Sequence, residues 1–208
     1  MRTVPYAIVE REALLAASVQ PGGRPAAPPP LELVQAFVNT VDREHGPDLL
    51  DDPEGFEEWL ARRGLAARSL STRDLARARD VREALRALLW AHAPEPSADD
   101  PPPLEPHAIL DAAAARAGLV PDFATGRLRA RAGGVDGALG AILAEVFAAI
   151  ADGTFSRLKA CPGARCGWAF YDRSPSASAT WCSMRVCGGR SKARAYYRRR
   201  LPSDGRAR

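Results

Sequence analysis

Cys161, Cys166, Cys182 and Cys187 are the only cysteines of the chain, and they stand in one stretch, CPGARCGWAFYDRSPSASATWCSMRVC. They form two C-x4-C pairs separated by fifteen residues. Two close thiol pairs at that separation fit a four-cysteine zinc site, because each short loop turns two thiolates toward one side of a tetrahedral ion. Pro162, Gly163, Gly167, Gly188 and Gly189 supply the turn-forming backbone such loops need. Four protein ligands leave no open coordination position, so one Zn2+ per chain has a structural and not a catalytic role. A redox dithiol normally uses C-x-x-C, which is absent, and iron–sulfur runs place a third cysteine close by. These two remain the alternatives. His45, His92 and His107 lie far from the stretch and are not expected to be ligands.

Directly after the last cysteine comes GGRSKARAYYRRRL. As a helix it places Arg190, Arg194 and Arg198 on one face, with Lys192, Arg199 and Arg200 widening the positive side. Ala193, Tyr197 and Leu201 share a neighbouring face that could pack on the metal module. Arginine recognises phosphate and guanine edges bidentately, so DNA is the expected partner. An acidic protein or mere solubility is the alternative. The residues from 156 onward carry a net +11 and the rest a net −7, which separates a polyanion-facing end from an acidic body. A module of some 50 residues is too small to hold itself together by burial alone, so zinc is expected to supply folding free energy. Trp168 and Phe170 are expected in its small core, while Tyr171 and Trp181 could pack there or stack on bases.

The elements that must position this module are helical. LELVQAFVNTVDREHG sets Leu33, Phe37, Val38 and Val41 on one face and stops at Gly46-Pro47. In DPEGFEEWLARRG, Pro53 suits a first turn and Phe56, Trp59 and Leu60 share a side. STRDLARARDVREALRALLWAHA begins at a Ser71 or Thr72 cap, with a stripe of Val81, Leu85, Leu88 and Leu89 opposed by Arg79, Arg82, Glu83 and Arg86. PHAILDAAAARAG closes at Gly118, a small hairpin is expected around Thr125-Gly126, and VDGALGAILAEVFAAIADG aligns Leu139, Ile142, Leu143, Val146, Phe147 and Ile150 on an almost fully buried face. Two proline-rich stretches, 21–30 and 93–106, read as linkers. No apolar run approaches the roughly 18 residues that cross a bilayer. Glu10, Arg11 and Glu12 interrupt what an export signal would keep apolar, so a reducing cytoplasm is expected and disulfides are not.

The C-terminal stretch, with C-x4-C-x-W-x-F-x-D, then WCSM and a basic tail, resembles the CGNR zinc finger. The preceding body is similar to the ABATE domain, with Phe37, Asn39 and Thr40 matching its F-x-N-T signature. The resemblance implies zinc held by Cys161, Cys166, Cys182 and Cys187, and a role in DNA binding and stress-linked transcriptional regulation. It departs at Gly189, where the family has Asn, so the motif reads C-G-G-R. Asn39 and Thr40 are polar positions near an apolar helix face. They read either as a small-ligand site, which would make an effector a further partner, or as buried groups bonded to neighbouring backbone. Neither G-x-S-x-G nor H-E-x-x-H occurs, and the glycines of 133–140 lack the Lys-Ser/Thr of a phosphate loop, so no enzyme is expected. The expected fold is mainly α: a helical N-terminal domain over 1–155 with one small β-hairpin, then a four-cysteine zinc-binding module over 156–208 ending in a basic helix.

Overall fold

A computed structural model of the chain describes residues 11–16, 20, 23–44, 46–94 and 105–200. Its central element is helix α4, Thr72–Ala91. Ser71 starts it: the Ser71 hydroxyl accepts from the Asp74 backbone N–H, and the Asp74 carboxylate accepts from the Ser71 N–H. This reciprocal cap satisfies two donors that a helix start otherwise leaves open. Val81, Leu85 and Leu89 are buried as the stripe predicts. The expected polar face is different. Arg82 and Arg86 are 3% and 0% exposed, because α4 is covered on that side too.

Helix α5, Pro106–Ala117, packs along α4 and ends where Gly118 turns into the left-handed region. The hairpin follows as expected, with β1 (Val120–Asp122) antiparallel to β2 (Arg127–Arg129). Helix α6, Gly134–Ala151, lies against α5 and against α2, Leu31–Val38. The 18 residues of α6 have a mean hydropathy of 1.7, which is long and apolar enough to span a bilayer by length and composition, contrary to the sequence reading. Half of that window is buried inside the protein, where Leu139, Ile142 and Val146 form core. Phe147 and Ile150 depart from the expected buried face. They are 57% and 54% exposed, since no described element covers that side of α6.

Helix α2 stops earlier than Gly46-Pro47. Asn39 caps it, and the chain turns back on itself: Leu49 N–H donates to Thr40 O, Asp42 N–H to Pro47 O, and Val41 bridges Asp48. Helix α3, Pro53–Ala61, is capped by Asp52 and places Phe56 and Trp59 against Phe37, with ring centroids 5.9–6.2 Å apart. The short helix α1, Arg11–Ala16, sets Leu14 and Leu15 into the same core. That core runs without a break into the C-terminal residues. Phe155, Leu158, Trp168 and Phe170 belong to it, beside strands β3 (Leu158–Ala160) and β4 (Ala169–Tyr171), which pair antiparallel. A π-helical turn, Met184–Gly188, leads into helix α7, Gly189–Arg200.

Candidate metal centre

The loop between β3 and β4 and the π-helical turn bring the four cysteines together. All four sulfurs lie within 4.8 Å of one another, and all four residues are buried. Cys166 Sγ is 3.7 Å from Cys182 Sγ, and Cys182 Sγ is 3.7 Å from Cys187 Sγ. A zinc–sulfur bond of ~2.3 Å puts the corners of a tetrahedron about 3.8 Å apart, so the observed spacing suits a shared ion and far exceeds a disulfide bond of about 2.05 Å. The thiols do not ionise independently. Hydrogen bonds from Cys166 and Cys182 pull Cys161 down, while those with Cys161 and Cys166 push Cys182 up. A dication at the centre of such a set favours the thiolate at every corner.

Local backbone explains how the loops close. Cys161 N–H donates to Trp168 O across the strand pair, Cys166 N–H to Gly163 O at 2.8 Å, and Gly167 N–H to Cys161 O. A Cβ at Gly163 would sit 3.2 Å from Cys187 Sγ, so the sulfurs leave little room for a side chain there. Ser183 caps the second loop: its hydroxyl accepts from Val186 N–H. Trp168, Phe170 and also Tyr171 are buried, and Trp181 is partly buried against the core.

What holds the cysteine loops in place comes largely from the body. Asn39 donates to Ala169 O at 2.9 Å and accepts from Ala169 N–H at 2.7 Å, and Gln35 donates to the same carbonyl. Arg86 donates to Gly167 O and to Val38 O, and its Nε to Glu83 at 2.8 Å. Trp90 Nε1 donates to Cys161 O, and His92 Nδ1 lies 2.8 Å from Leu158 O. Arg24, inside the proline-rich stretch read as a linker, donates to the carbonyls of Cys182 and Trp181 and covers the Phe170 ring. Arg82 makes a two-pronged contact with Asp48 at 2.6 and 2.7 Å and donates to Thr40 Oγ1. Burial alone would push both arginines down. Asp48 and Glu83 outweigh it for Arg82, which is raised, whereas Arg86 stays lowered. Burial also disfavours charge on Glu83, but Arg86 and Arg82 override it and hold the carboxyl down at about 2.

This scaffold matches known families over most of its length. The CGNR zinc finger profile matches residues 157–200. The ABATE profile, described as "Putative stress-induced transcription regulator", matches residues 31–154, more than half the chain. The chain belongs to the ABATE family. No curated protein matches it. The ABATE body therefore has a visible task in this molecule: its α2 and α4 carry the polar groups that dock the metal loops. Asn39 is consumed in that way by Ala169, whereas Thr40 bonds within the body, donating to Phe37 O and accepting from Arg82.

The basic residues divide into two kinds. Lys159 is buried and bonds Asp172 and the carbonyls of Ala177 and Ala179, shaping the loop before Cys182. Burial disfavours charge on Asp172, but bonds from Ser174 and Lys159 hold its carboxyl down at about 2. Arg157 is spent on the carbonyls of Asp172 and Ser174. On α7, by contrast, Lys192, Arg194 and Arg199 are exposed, and so is Arg185 in the preceding turn. Arg190 is exposed too but reaches Glu44 of the body at 2.5 Å. The side chains of Arg198 and Arg200, and Leu201, lie outside the described residues. Ala193 and Tyr197, expected to face the module, are exposed. No residue of α7 described to its side chain is buried, so the helix is held at its N-terminal end and otherwise faces solvent. Sequence patterning does not reveal Gln35, Arg82, Arg86 and Trp90 as supports of the site. The signal was there in one form: two arginines and a glutamate at 82, 83 and 86, set among the apolar residues Val81, Ala84, Leu85 and Ala87 of the same helix.

Proposed function

We propose that the protein is a zinc-dependent DNA-binding regulator of transcription, acting in the cytoplasm of its cell as a binding protein and not as an enzyme. The family descriptions support a regulatory role. The observation that carries the reading is the buried sulfur quartet at zinc spacing, followed immediately by a helix whose described cations face solvent. Zinc held by Cys161, Cys166, Cys182 and Cys187 orders the turn from which α7 projects. Lys192, Arg194 and Arg199, with Arg198 and Arg200 of the same helix, then meet phosphate or base edges along a duplex groove. Arg190, tied to Glu44, sets the angle of the helix to the body. The resemblance to family members with Asn at position 189 bears little on this geometry. Gly189 is in the right-handed helical region, and a Cβ there meets its nearest atom at 3.9 Å, so the backbone has no special need for glycine.

The test combines metal analysis of the purified chain with binding to random duplex DNA across a salt series. One zinc per chain and a steep fall of affinity with salt are expected. Replacing Lys192, Arg194 and Arg199 together by alanine lowers the slope of log K against log salt by about 2.7, at ~0.9 per phosphate contact, with zinc content unchanged. An unaltered slope in that variant overturns the assignment of α7 as the contact surface.

A further inference from the structure

A cavity of about 790 Å3 lies in the ABATE body, and none of its described lining residues belongs to the cysteine module. That volume is within the range of about 300–1,000 Å3 typical of small-molecule sites. One wall is apolar, formed by Leu15, Pro30, Leu33 and Ala36. Three arginines also line it, and they differ in how their charge is met. Arg62 is paired with Glu12 and Glu58, and Arg127 with Glu145. Arg63 has no carboxylate within ion-pair distance among the described residues.

The geometry of Arg63 is specific. Its guanidinium lies 4.0 Å from the centre of the Trp59 ring. Nη1 is taken up by the carbonyls of Leu15 and Trp59 at 3.1 and 3.0 Å. Nε and Nη2, which form the other edge of the same fork, make no hydrogen bond among the described residues. Neither Nε nor Nη2 of Arg63 is a buried atom left without a partner, so this edge of a guanidinium held over an indole is open to an incoming acceptor. Burial lowers its pKa to about 10, and Glu32 only partly offsets this. The paired edge of a guanidinium matches a carboxylate in two parallel hydrogen bonds. Glu32 and Glu145 also line the cavity and disfavour a dianion.

We propose that this cavity binds a small organic monocarboxylate. Its carboxylate is held by the Nε–Nη2 edge of Arg63 and its apolar body lies on Leu15, Pro30, Leu33 and Ala36. The site supplies the regulator with an effector pocket separate from the zinc module, and it stands whether or not α7 contacts DNA. Octanoate, benzoate and the uncharged control octanamide, titrated calorimetrically into the full zinc-loaded chain without nucleic acid, test it. Octanoate or benzoate should bind at least tenfold more tightly than octanamide. Arg63→Met, which removes the guanidinium but leaves an unbranched apolar chain, should bring the acid down to the level of the amide while the free protein still melts cooperatively, at a temperature lowered by the loss of the bonds to the Leu15 and Trp59 carbonyls. Leu33→Glu, which leaves Arg63 in place but puts a carboxylate in the cavity, should do the same. The proposal is overturned if neither acid binds, if octanamide binds as well as octanoate, or if Arg63→Met binds octanoate undiminished.

Discussion

Asn39→Ala measures how strongly the ABATE body holds the cysteine loops. In the native protein the Asn39 amide closes a two-bond ring with Ala169, whose residue is 0% exposed. Without it the Ala169 N–H has no acceptor, at a cost of about 1–3 kcal/mol for a buried unpaired donor. The Ala169 carbonyl keeps Gln35, 3.1 Å away, so its loss is one ordinary bond of about 1 kcal/mol. The sum is about 2–4 kcal/mol, or a fall in melting temperature of about 4–16 °C for a chain of this size. Because Ala169 lies three residues after Cys166, the same free energy appears as weaker metal retention, about 30- to 700-fold at 1.4 kcal/mol per tenfold. Calorimetry of the zinc-loaded protein gives the first figure, and competition with a chromogenic chelator gives the second. A variant that loses less than 0.5 kcal/mol and retains zinc like the native protein refutes the idea that docking and metal binding share free energy.

Acid should unfold the protein through Glu83 and Asp172. Both carboxyls are held down at about 2 in the folded protein, against about 4 for an ordinary Asp or Glu in the unfolded chain, so their stabilisation is complete above that ordinary range and fades as the pH falls toward 2. Glu83→Gln should lower stability near neutrality by about 3–5 kcal/mol, since it leaves Arg86 buried without its carboxylate, and should flatten the decline between pH 4.5 and 2 in a urea series. Gly167→Ala should cost at least about 1–2 kcal/mol from the left-handed backbone alone. Gly167 has φ +57°, and the added Cβ would lie 2.9 Å from Arg43 Nη1 and 3.2 Å from Arg86 Cδ, which adds to the loss. Gly189→Asn, by contrast, should be neutral or stabilise by a few tenths of a kcal/mol, read from thermal melts, because glycine is the poorer helix former.

The features legible in the sequence were those whose partners are near in the chain. The cysteine quartet, the Ser71 cap, the hairpin at Thr125-Gly126 and the close of α5 at Gly118 each depend on spacings of a few residues or on one backbone conformation. What stayed hidden depends on distant partners. Arg82 and Arg86 look like a solvated face beside Val81 and Leu85, yet they meet Asp48, 34 residues away, and Gly167, 81 residues away. Periodicity shows that α6 has an apolar face but not how far its neighbours reach, so Phe147 and Ile150 are open where burial was expected. The end of α2 was missed because Asn39 leaves the helix to bond Ala169, 130 residues on.

Those long-range contacts set an order of events during synthesis. When the ribosome has released the body, Gln35, Asn39, Arg86, Trp90 and His92 have been made, but their acceptors at Leu158, Cys161, Gly167 and Ala169 have not all emerged. The early helices can gather on Phe37, Phe56 and Trp59, but their polar groups find all their partners only when the last loops arrive. A fragment cut after residue 155 would therefore yield a body with an open, hydrated flank, prone to stick to chaperones or to itself, so the body and the cysteine loops belong in one expressed fragment.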